Sequence, residues 1–252
     1  MTDPAPLADP RGAPRFVPFG RIQRVVAARM GKSHAEIPDF SMSVDVDVED
    51  LLARRDELPA DGRPSLNDFV LTATARALRR HPKVNSSCSA DGIEIHARVN
   101  VGMAAAIDDG LLVVTVFDAD TMTVYQIGRR TRELAEAVRG GAVALADLEG
   151  ATFTVSNLGM FGVDRIVPIV IPGQVGILGV GAARPRVVPT DRDGVAVRRI
   201  VTLTLAGDHR VLNGTDGAGF LDSIRADLEQ PEAMFSEAGL TSPPPLTKHH
   251  AG

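Results

Sequence analysis

The residue best suited to acid–base chemistry in this chain is His209. It follows an apolar run over residues 201–206 and precedes the pair Asn213-Gly214. Histidine changes its protonation near neutral pH, and an Asn-Gly pair lets the chain reverse because both residues tolerate positive φ. The stretch therefore predicts either a general base held at the end of a strand or a surface histidine at a strand-to-helix corner. These residues alone leave both interpretations open.

Other residues of reactive type form weaker candidates. No group of histidines or carboxylates has the spacing of a metal site, so we expect none, and the single cysteine, Cys88, excludes an internal disulfide. The sequence also has no Gly-x-Ser-x-Gly elbow and no phosphate-binding loop. Ser156, in a Gly-rich turn between apolar stretches, is the second polar point; taken alone, it is more typical of a turn residue that bonds its own backbone. The remaining histidines are expected to be solvated or structural: His34, His81, His96, His249 and His250.

The elements that must position these residues follow from periodicity. Residues 40–48 alternate apolar and polar, which predicts a half-buried strand, and Ser65 with Asp68 predicts a capping box at the start of a helix. Asp120 is expected to cap a long helix. Helices are predicted near residues 21–37, 48–58, 66–81, 121–139 and 215–230, and strands near 40–48, 93–96, 99–107, 111–116, 151–156 and 198–206, with a turn at 108–110. The fold class is α+β, with a mixed, mostly antiparallel sheet covered by helices.

Composition limits the possible classes of protein. The chain has 252 residues, 44% hydrophobic, with a net charge of −5 and no block of like charge that would suggest nucleic acid. No apolar run is long enough to span a membrane and no secretory signal is present, so a cytoplasmic location is expected. We predict a flexible N-terminal arm over residues 1–15, one catalytic domain over 16–240 and a flexible tail over 241–252.

Several motifs in order resemble the catalytic domain of the 2-oxoacid dehydrogenase acyltransferases (E2), within the chloramphenicol acetyltransferase-like superfamily. The resemblance covers roughly residues 16–240. Its first signature is the stretch Asp208-His209-Arg210-Val211-Leu212-Asn213-Gly214, and its second runs over residues 150–162. Matches in place and order also occur at Ile37-Pro38, Ser65 to Phe69, Asn85 to Ser87, Asn100 to Gly102, Gly110-Leu111 and Pro172 to Gln174.

The resemblance implies a fold and a reaction. The fold is a two-layer arrangement of a central mixed sheet and flanking helices, assembled as a homotrimer or a larger particle with active sites between subunits. The cosubstrate would be coenzyme A. His209 would act as general base, and Ser156 on the neighbouring subunit would donate to the oxyanion of the tetrahedral intermediate. Asn213 occupies the third position of the site, where the family pattern is expected to carry an aspartate. An asparagine keeps hydrogen-bonding capacity but carries no charge.

Three functions are compatible with the sequence. The first is a stand-alone acyltransferase that moves an acetyl or other acyl group from coenzyme A, or from an acyl carrier protein, to the hydroxyl of a small molecule such as a tetronate-type polyketide intermediate. Residues 1–20 are too few for a lipoyl domain or a subunit-binding domain, and no bound lipoyl group is expected, which favours this reading. The second is the core of a 2-oxoacid dehydrogenase complex, which transfers acyl groups between dihydrolipoyl groups and coenzyme A. The third is a structural homologue with reduced activity.

Overall fold

The computed structural model describes residues 11–107, 110–190 and 194–236. The predicted turn at Asp108-Asp109 lies outside this range, as do His249 and His250 and most of the predicted arm and tail. The helices are α1 (Arg21–Glu36), α2 (Glu49–Asp56), α3 (Leu66–Arg80), α4 (Val124–Arg139), α5 (Gly214–Glu229) and α6 (Glu232–Phe235). The strands are β1 (Asp39–Asp47), β2 (Ser86–Cys88), β3 (Ile93–Ile95), β4 (Val101–Ile107), β5 (Gly110–Val116), β6 (Phe153–Asn157), β7 (Gly176–Val180), β8 (Arg184–Pro189) and β9 (Val195–Asp208).

The main sheet has the strand order β1-β9-β7-β6-β4-β5, and β8 forms a ribbon with the first half of β9. Strand β6 is parallel to both β4 and β7, and the other pairs of this sheet are antiparallel. Strands β2 and β3 form a separate antiparallel pair. The mixed, mostly antiparallel α+β sheet predicted from the sequence is confirmed.

The two faces of this sheet differ in chemistry because successive side chains of a strand point to opposite sides. One face carries Leu178 and Leu205, which are register partners, and packs against the helical layer of α3 and α5. The ring of Phe153 meets that of Phe220 from α5, with centroids 5.4 Å apart, and both are fully buried. The alternating pattern of β1 and β6 is thus explained by one core-facing side and one polar side.

The polar face contains a row of partners that crosses four strands: Ser156 on β6, Gly179 on β7, Thr204 on β9 and Ser43 on β1. A side chain at Gly179 would lie 2.8 Å from Ile166, so the segment that follows β6 passes directly over this position. Ser156 therefore has no side chain beside it on β7.

Local signals set the starts of two helices. Ser65 caps α3: its hydroxyl accepts the Asp68 amide at 3.2 Å, and the Asp68 carboxylate accepts the Ser65 amide at 2.7 Å, which confirms the predicted capping box. The prediction that Asp120 caps the long helix is wrong. Thr123 caps α4 through its hydroxyl and Gln126, while Asp120 lies in a preceding 3₁₀ turn and accepts hydrogen bonds from Arg79.

Strand β8 was not predicted because Pro185 and Pro189 lie in it, and proline is rare in strands except at edges. Within residues 11–107, 110–190 and 194–236, β8 pairs only with β9. The part of β9 that precedes residue 198 was missed with it. In the described part of the chain, no helix has the length and apolar character needed to cross a membrane, and no cluster of three or more side chains is arranged to hold a metal ion.

Candidate active site

His209 lies on the turn that directly follows β9. Its backbone N–H donates to the carbonyl of Pro38 at 2.9 Å, so the turn is tied to the start of β1. The imidazole is exposed and rests against the ring of Phe40, with ring centroids 4.6 Å apart and tilted by 48°. Within the described residues, the imidazole makes no hydrogen bond. Both ring nitrogens are therefore open to a substrate or to another chain.

Asp208 and Arg210 flank this histidine. The Asp208 carboxylate is buried and accepts hydrogen bonds from the guanidinium of Arg210, from Nε at 2.9 Å and from Nη2 at 2.6 Å. The same hydrogen bonds raise the pKa of Arg210 above its ordinary value. Both residues belong to the first signature motif, although no role was predicted for either from the sequence. The signal that indicates one is an acid and a base placed on the two sides of a reactive residue.

Asn213 is the N-cap of α5. Its side-chain oxygen accepts the backbone N–H of Asp216 at 2.9 Å and the hydroxyl of Thr215 at 2.6 Å, and its own N–H donates to Asp216 at 3.0 Å. Burial alone would raise the pKa of Asp216, but hydrogen bonds from Lys83 and from the Asn213 amide outweigh it and lower this pKa below its ordinary value. The structure therefore gives Asn213 a capping contact directly after the His209 turn.

Ser156 is the fourth residue of β6 and is nearly buried, at 9% exposure. Its hydroxyl makes no hydrogen bond to any described residue, so the interpretation as a turn residue that bonds its own backbone is wrong. The next residue, Asn157, has the structural contacts instead: its amide donates to Asn67 on α3 at 2.9 Å, and its side-chain oxygen accepts the N–H of Gly159 at 2.8 Å.

The Gly-rich stretch after Ser156 is needed for close backbone approach. A Cβ at Gly159 would lie 2.5 Å from the carbonyl oxygen of Gly181, and a Cβ at Gly181 would lie 2.0 Å from that of Asp164. No larger residue fits at either position without moving the backbone. The chain that leaves Ser156 is therefore held tightly against the end of β7.

One chain does not bring His209 and Ser156 into contact. Ser156 shares a register row with Thr204, two strands away, and His209 follows Asp208, four residues further along β9. These steps correspond to about 10 Å across the sheet and about 13 Å along it. Both lengths far exceed a hydrogen bond, so the two side chains can act together only on a substrate that spans them or across two chains.

Comparison with known proteins places these features in a family. The family model for the catalytic domain of the 2-oxoacid dehydrogenase acyltransferases matches residues 12–236. The chain belongs to this family. It is 33% identical over 227 residues to the dihydrolipoyllysine-residue acetyltransferase component of the Rickettsia felis pyruvate dehydrogenase complex, covering 88% of this chain and 55% of that protein. It is 38% identical to component 2 of the mitochondrial Arabidopsis thaliana complex, covering 87% and 42%. The chain thus spans about half the length of the curated relatives it matches.

Solved structures similar to this chain include members of the same family. A probable dihydrolipoamide acetyltransferase from Listeria monocytogenes has a TM-score of 0.84 and 33% identity, with coverage of 90% of this chain and 98% of that one. Dihydrolipoamide acetyltransferase from Azotobacter vinelandii has a TM-score of 0.85 and 29% identity, covering 90% and 96%. Chloramphenicol acetyltransferase, at 16% identity and a TM-score of 0.50, shares the fold, as predicted.

The Azotobacter structure was part of an investigation into the catalytic roles of a serine, a histidine and an asparagine. In that protein the asparagine follows the histidine by four positions. An asparagine at this spacing is therefore not peculiar to this chain, although the sequence was expected to depart from its family there.

Proposed function

We propose that this chain transfers an acyl group, acetyl in the first instance, between coenzyme A and a dihydrolipoyl thiol. The observation that carries the proposal is the pair of accessible polar groups, the His209 imidazole and the Ser156 hydroxyl, that make no hydrogen bond to a described residue, in a chain whose relatives are dihydrolipoyllysine-residue acetyltransferases. The same serine, histidine and asparagine types, in the same order, are those investigated in the Azotobacter enzyme. This favours the second of the three functions considered from sequence; none of the relatives compared above points to a polyketide hydroxyl as the acceptor.

The residues suit thioester exchange. The neutral imidazole of His209 removes the proton of the acceptor thiol, and the thiolate sulfur attacks the carbonyl carbon of the acyl thioester. The tetrahedral intermediate carries its negative charge on oxygen, to which the Ser156 hydroxyl donates. When the intermediate collapses, the bond to the leaving sulfur breaks and the imidazolium returns the proton to that sulfur. The atoms and charges balance without any further reactant.

A homotrimer would bring the two groups together, with His209 of one chain facing Ser156 of the next. The separation of the two side chains within one chain supports this arrangement. So does the apolar stripe of α1, where Ile22, Val25 and Val26 are 37%, 48% and 39% exposed. That stripe continues into Phe16 and Phe19, and unpartnered apolar surface of this extent indicates an interface. One similar structure, with a TM-score of 0.85 and 29% identity, is the cubic core of a pyruvate dehydrogenase complex.

The reaction is tested with acetyl-CoA and either dihydrolipoamide or a panel of small alcohols, with coenzyme A and acetylated acceptor quantified by mass spectrometry. We expect transfer to dihydrolipoamide and a loss of about 10²–10⁴ in rate for His209→Ala. His96→Ala is the matched control, since that side chain makes no hydrogen bond to a described residue. Transfer to an alcohol but not to dihydrolipoamide would instead support a stand-alone acyltransferase. Absence of transfer to either acceptor would indicate a structural homologue with reduced activity.

The shared site is tested by complementation. His209→Ala and Ser156→Ala chains are each expected to be nearly inactive, but co-expression produces interfaces that pair an intact His209 with an intact Ser156. Random mixing should restore about a quarter of the sites. Light scattering measures the molar mass in parallel. Mixed assemblies without any recovered activity would contradict an active site between subunits.

A further inference from the structure

The turn that carries His209 contains a buried carboxylate with an unusual set of partners. The Asp208 side chain is 1% exposed, whereas that of Arg210 is 44% exposed. Oδ1 of Asp208 accepts the Arg210 backbone N–H at 3.0 Å and Nε at 2.9 Å, and Oδ2 accepts Nη2 at 2.6 Å. Among the described residues, every hydrogen bond to this carboxylate comes from the residue two positions along the chain, and His209 lies between them.

This arrangement restricts the backbone of His209 from both sides. An aspartate side chain that accepts the N–H two residues later closes a turn around the intervening residue. The Asp208 backbone carbonyl also accepts the N–H groups of Val211 and Leu212, at 3.1 and 2.9 Å. The His209 N–H is held by Pro38. The Cα–Cβ bond of His209 therefore leaves the turn in a direction set by the backbone, and the imidazole packs against the ring of Phe40.

We infer that Asp208 and Arg210 are positioning residues that aim the His209 imidazole at the acyl-transfer site. The inference rests on the proposed function. A buried carboxylate needs a hydrogen-bonded cationic partner, and removal of either member leaves an uncompensated group, so the pair resists rearrangement. Catalysis depends on such rigidity, because a displacement of about 1 Å at a reacting group can cost about 10² in rate. The exposed guanidinium acts on the reaction only through the turn.

The chain contains a matched control pair. Oε2 of Glu49 accepts the Arg199 backbone N–H at 2.8 Å and Nε at 3.0 Å, and Oε1 accepts Nη2 at 2.8 Å. Arg210 makes the corresponding three contacts to Asp208, together with a fourth from Nε to Oδ2 at 3.2 Å. Arg199 precedes Asp208 by nine residues of the same strand, about 30 Å. Glu49→Gln therefore removes a carboxylate charge that accepts the same pattern of hydrogen bonds, on a side chain that is 30% exposed, far from His209.

The experiment compares Asp208→Asn with Glu49→Gln for kcat, KM, thermal unfolding and molar mass, using acetyl-CoA and dihydrolipoamide. We expect Asp208→Asn to lower kcat by about 10–100-fold, with KM for both substrates changed less than about twofold. Glu49→Gln should leave kcat unchanged. Arg210→Met should resemble Asp208→Asn, and Arg210→Lys should restore part of the loss, because lysine keeps the charge but not the fork of two donors.

The inference is overturned if Asp208→Asn, folded and assembled as the wild type, keeps full kcat, or if both carboxamide variants lose kcat equally. If Asp208→Asn fails to fold, the test uses Arg210→Lys instead. Full activity of Arg210→Lys with an unchanged Tm contradicts a positioning role. A crystal structure of whichever of these variants folds gives a readout that does not depend on activity. A His209 ring displaced from Phe40 in the variant supports the inference, and an unmoved ring overturns it. Absence of acyl transfer by the wild-type chain would contradict only the proposed function.

Discussion

The two ends of β9 are built from the same contacts but produce different results. Near the start of the strand, Arg199 and Glu49 form a fork that joins residues 150 positions apart and ties α2 to the sheet. Just past the end of the strand, Arg210 and Asp208 form the same fork across two positions. The first links distant elements and should contribute mainly to stability. The second shapes a single turn, so it should contribute mainly to the direction of one side chain.

Polar groups are also treated differently at the two ends. Arg198 pairs with Asp47 at 2.6 Å and with Asp50 at 3.0 Å, and both pairs raise the pKa of this arginine. At the other end the His209 imidazole has no hydrogen-bond partner among the described residues, and neither does the nearly buried hydroxyl of Ser156. Both groups are accessible and have no partner in the described part of the chain, so a substrate or another chain can bind them.

After His209→Ala, the largest effect should come from Ser156→Ala. If the hydroxyl serves the oxyanion and not the fold, kcat for acetyl transfer should fall by about 10²–10³ while the unfolding free energy stays within about 0.5 kcal/mol of the wild type. Steady-state kinetics and denaturant unfolding of the same preparation measure the two quantities. Thr204→Ser on the same row, which keeps its hydroxyl, is the control. A large loss of stability with unchanged kcat would remove Ser156 from the site.

Glu49→Gln should have a smaller effect, and this effect should be on stability and not on kcat. Loss of the charged partner of Arg199 should cost about 1 kcal/mol of unfolding free energy at neutral pH and leave kcat alone. Hydrogen bonds from the Arg199 side chain and backbone lower the pKa of Glu49 below its ordinary value of 4.5. The stability that this carboxylate contributes is therefore present above about pH 4.5 and is lost as the pH falls through the folded-state pKa.

Denaturant unfolding of the wild type and Glu49→Gln at several pH values checks the direction of this pH dependence. The difference in unfolding free energy should be full near neutral pH and should shrink toward zero on acidification. A difference that grows as the pH falls would mean that the ion pair is not its source.

Effects of equal or smaller size are expected at the cap that follows the His209 turn. Asn213→Ala should cost about 1 kcal/mol because the N-cap oxygen of α5 is lost, whereas Asn213→Asp keeps an oxygen acceptor and should stay within about 0.5 kcal/mol of the wild type. Since the structure uses Asn213 for its oxygen, we expect no rise in kcat for the aspartate variant. Thermal unfolding and steady-state kinetics measure both. A clear rise in kcat would show that the site needs an acid at this position.

Features that depend on a few neighbouring residues could be predicted from the sequence. The Ser65 capping box, the strand before His209 and the helix after Asn213 all follow from hydrogen bonds or periodicities within about four residues. Ordered motifs over most of the chain were enough to indicate the family. The wrong prediction for Asp120 arose because two nearby residues, Asp120 and Thr123, could each cap the helix. Thr123 is the cap, and Asp120 instead accepts a hydrogen bond from Arg79, a contact that local sequence does not reveal.

The sequence by itself therefore determined the fold class, the family and the residue types available for chemistry. Tertiary structure decided which contacts each of these reactive residues makes. The register of β1 on β9 brings Phe40 and Pro38 to His209, and the row across β6, β7 and β9 leaves Ser156 beside a glycine. These contacts join residues more than 20 and up to about 170 positions apart. A one-residue slip of register would send each side chain to the opposite face, and only the packing of the whole sheet against its helices excludes that slip.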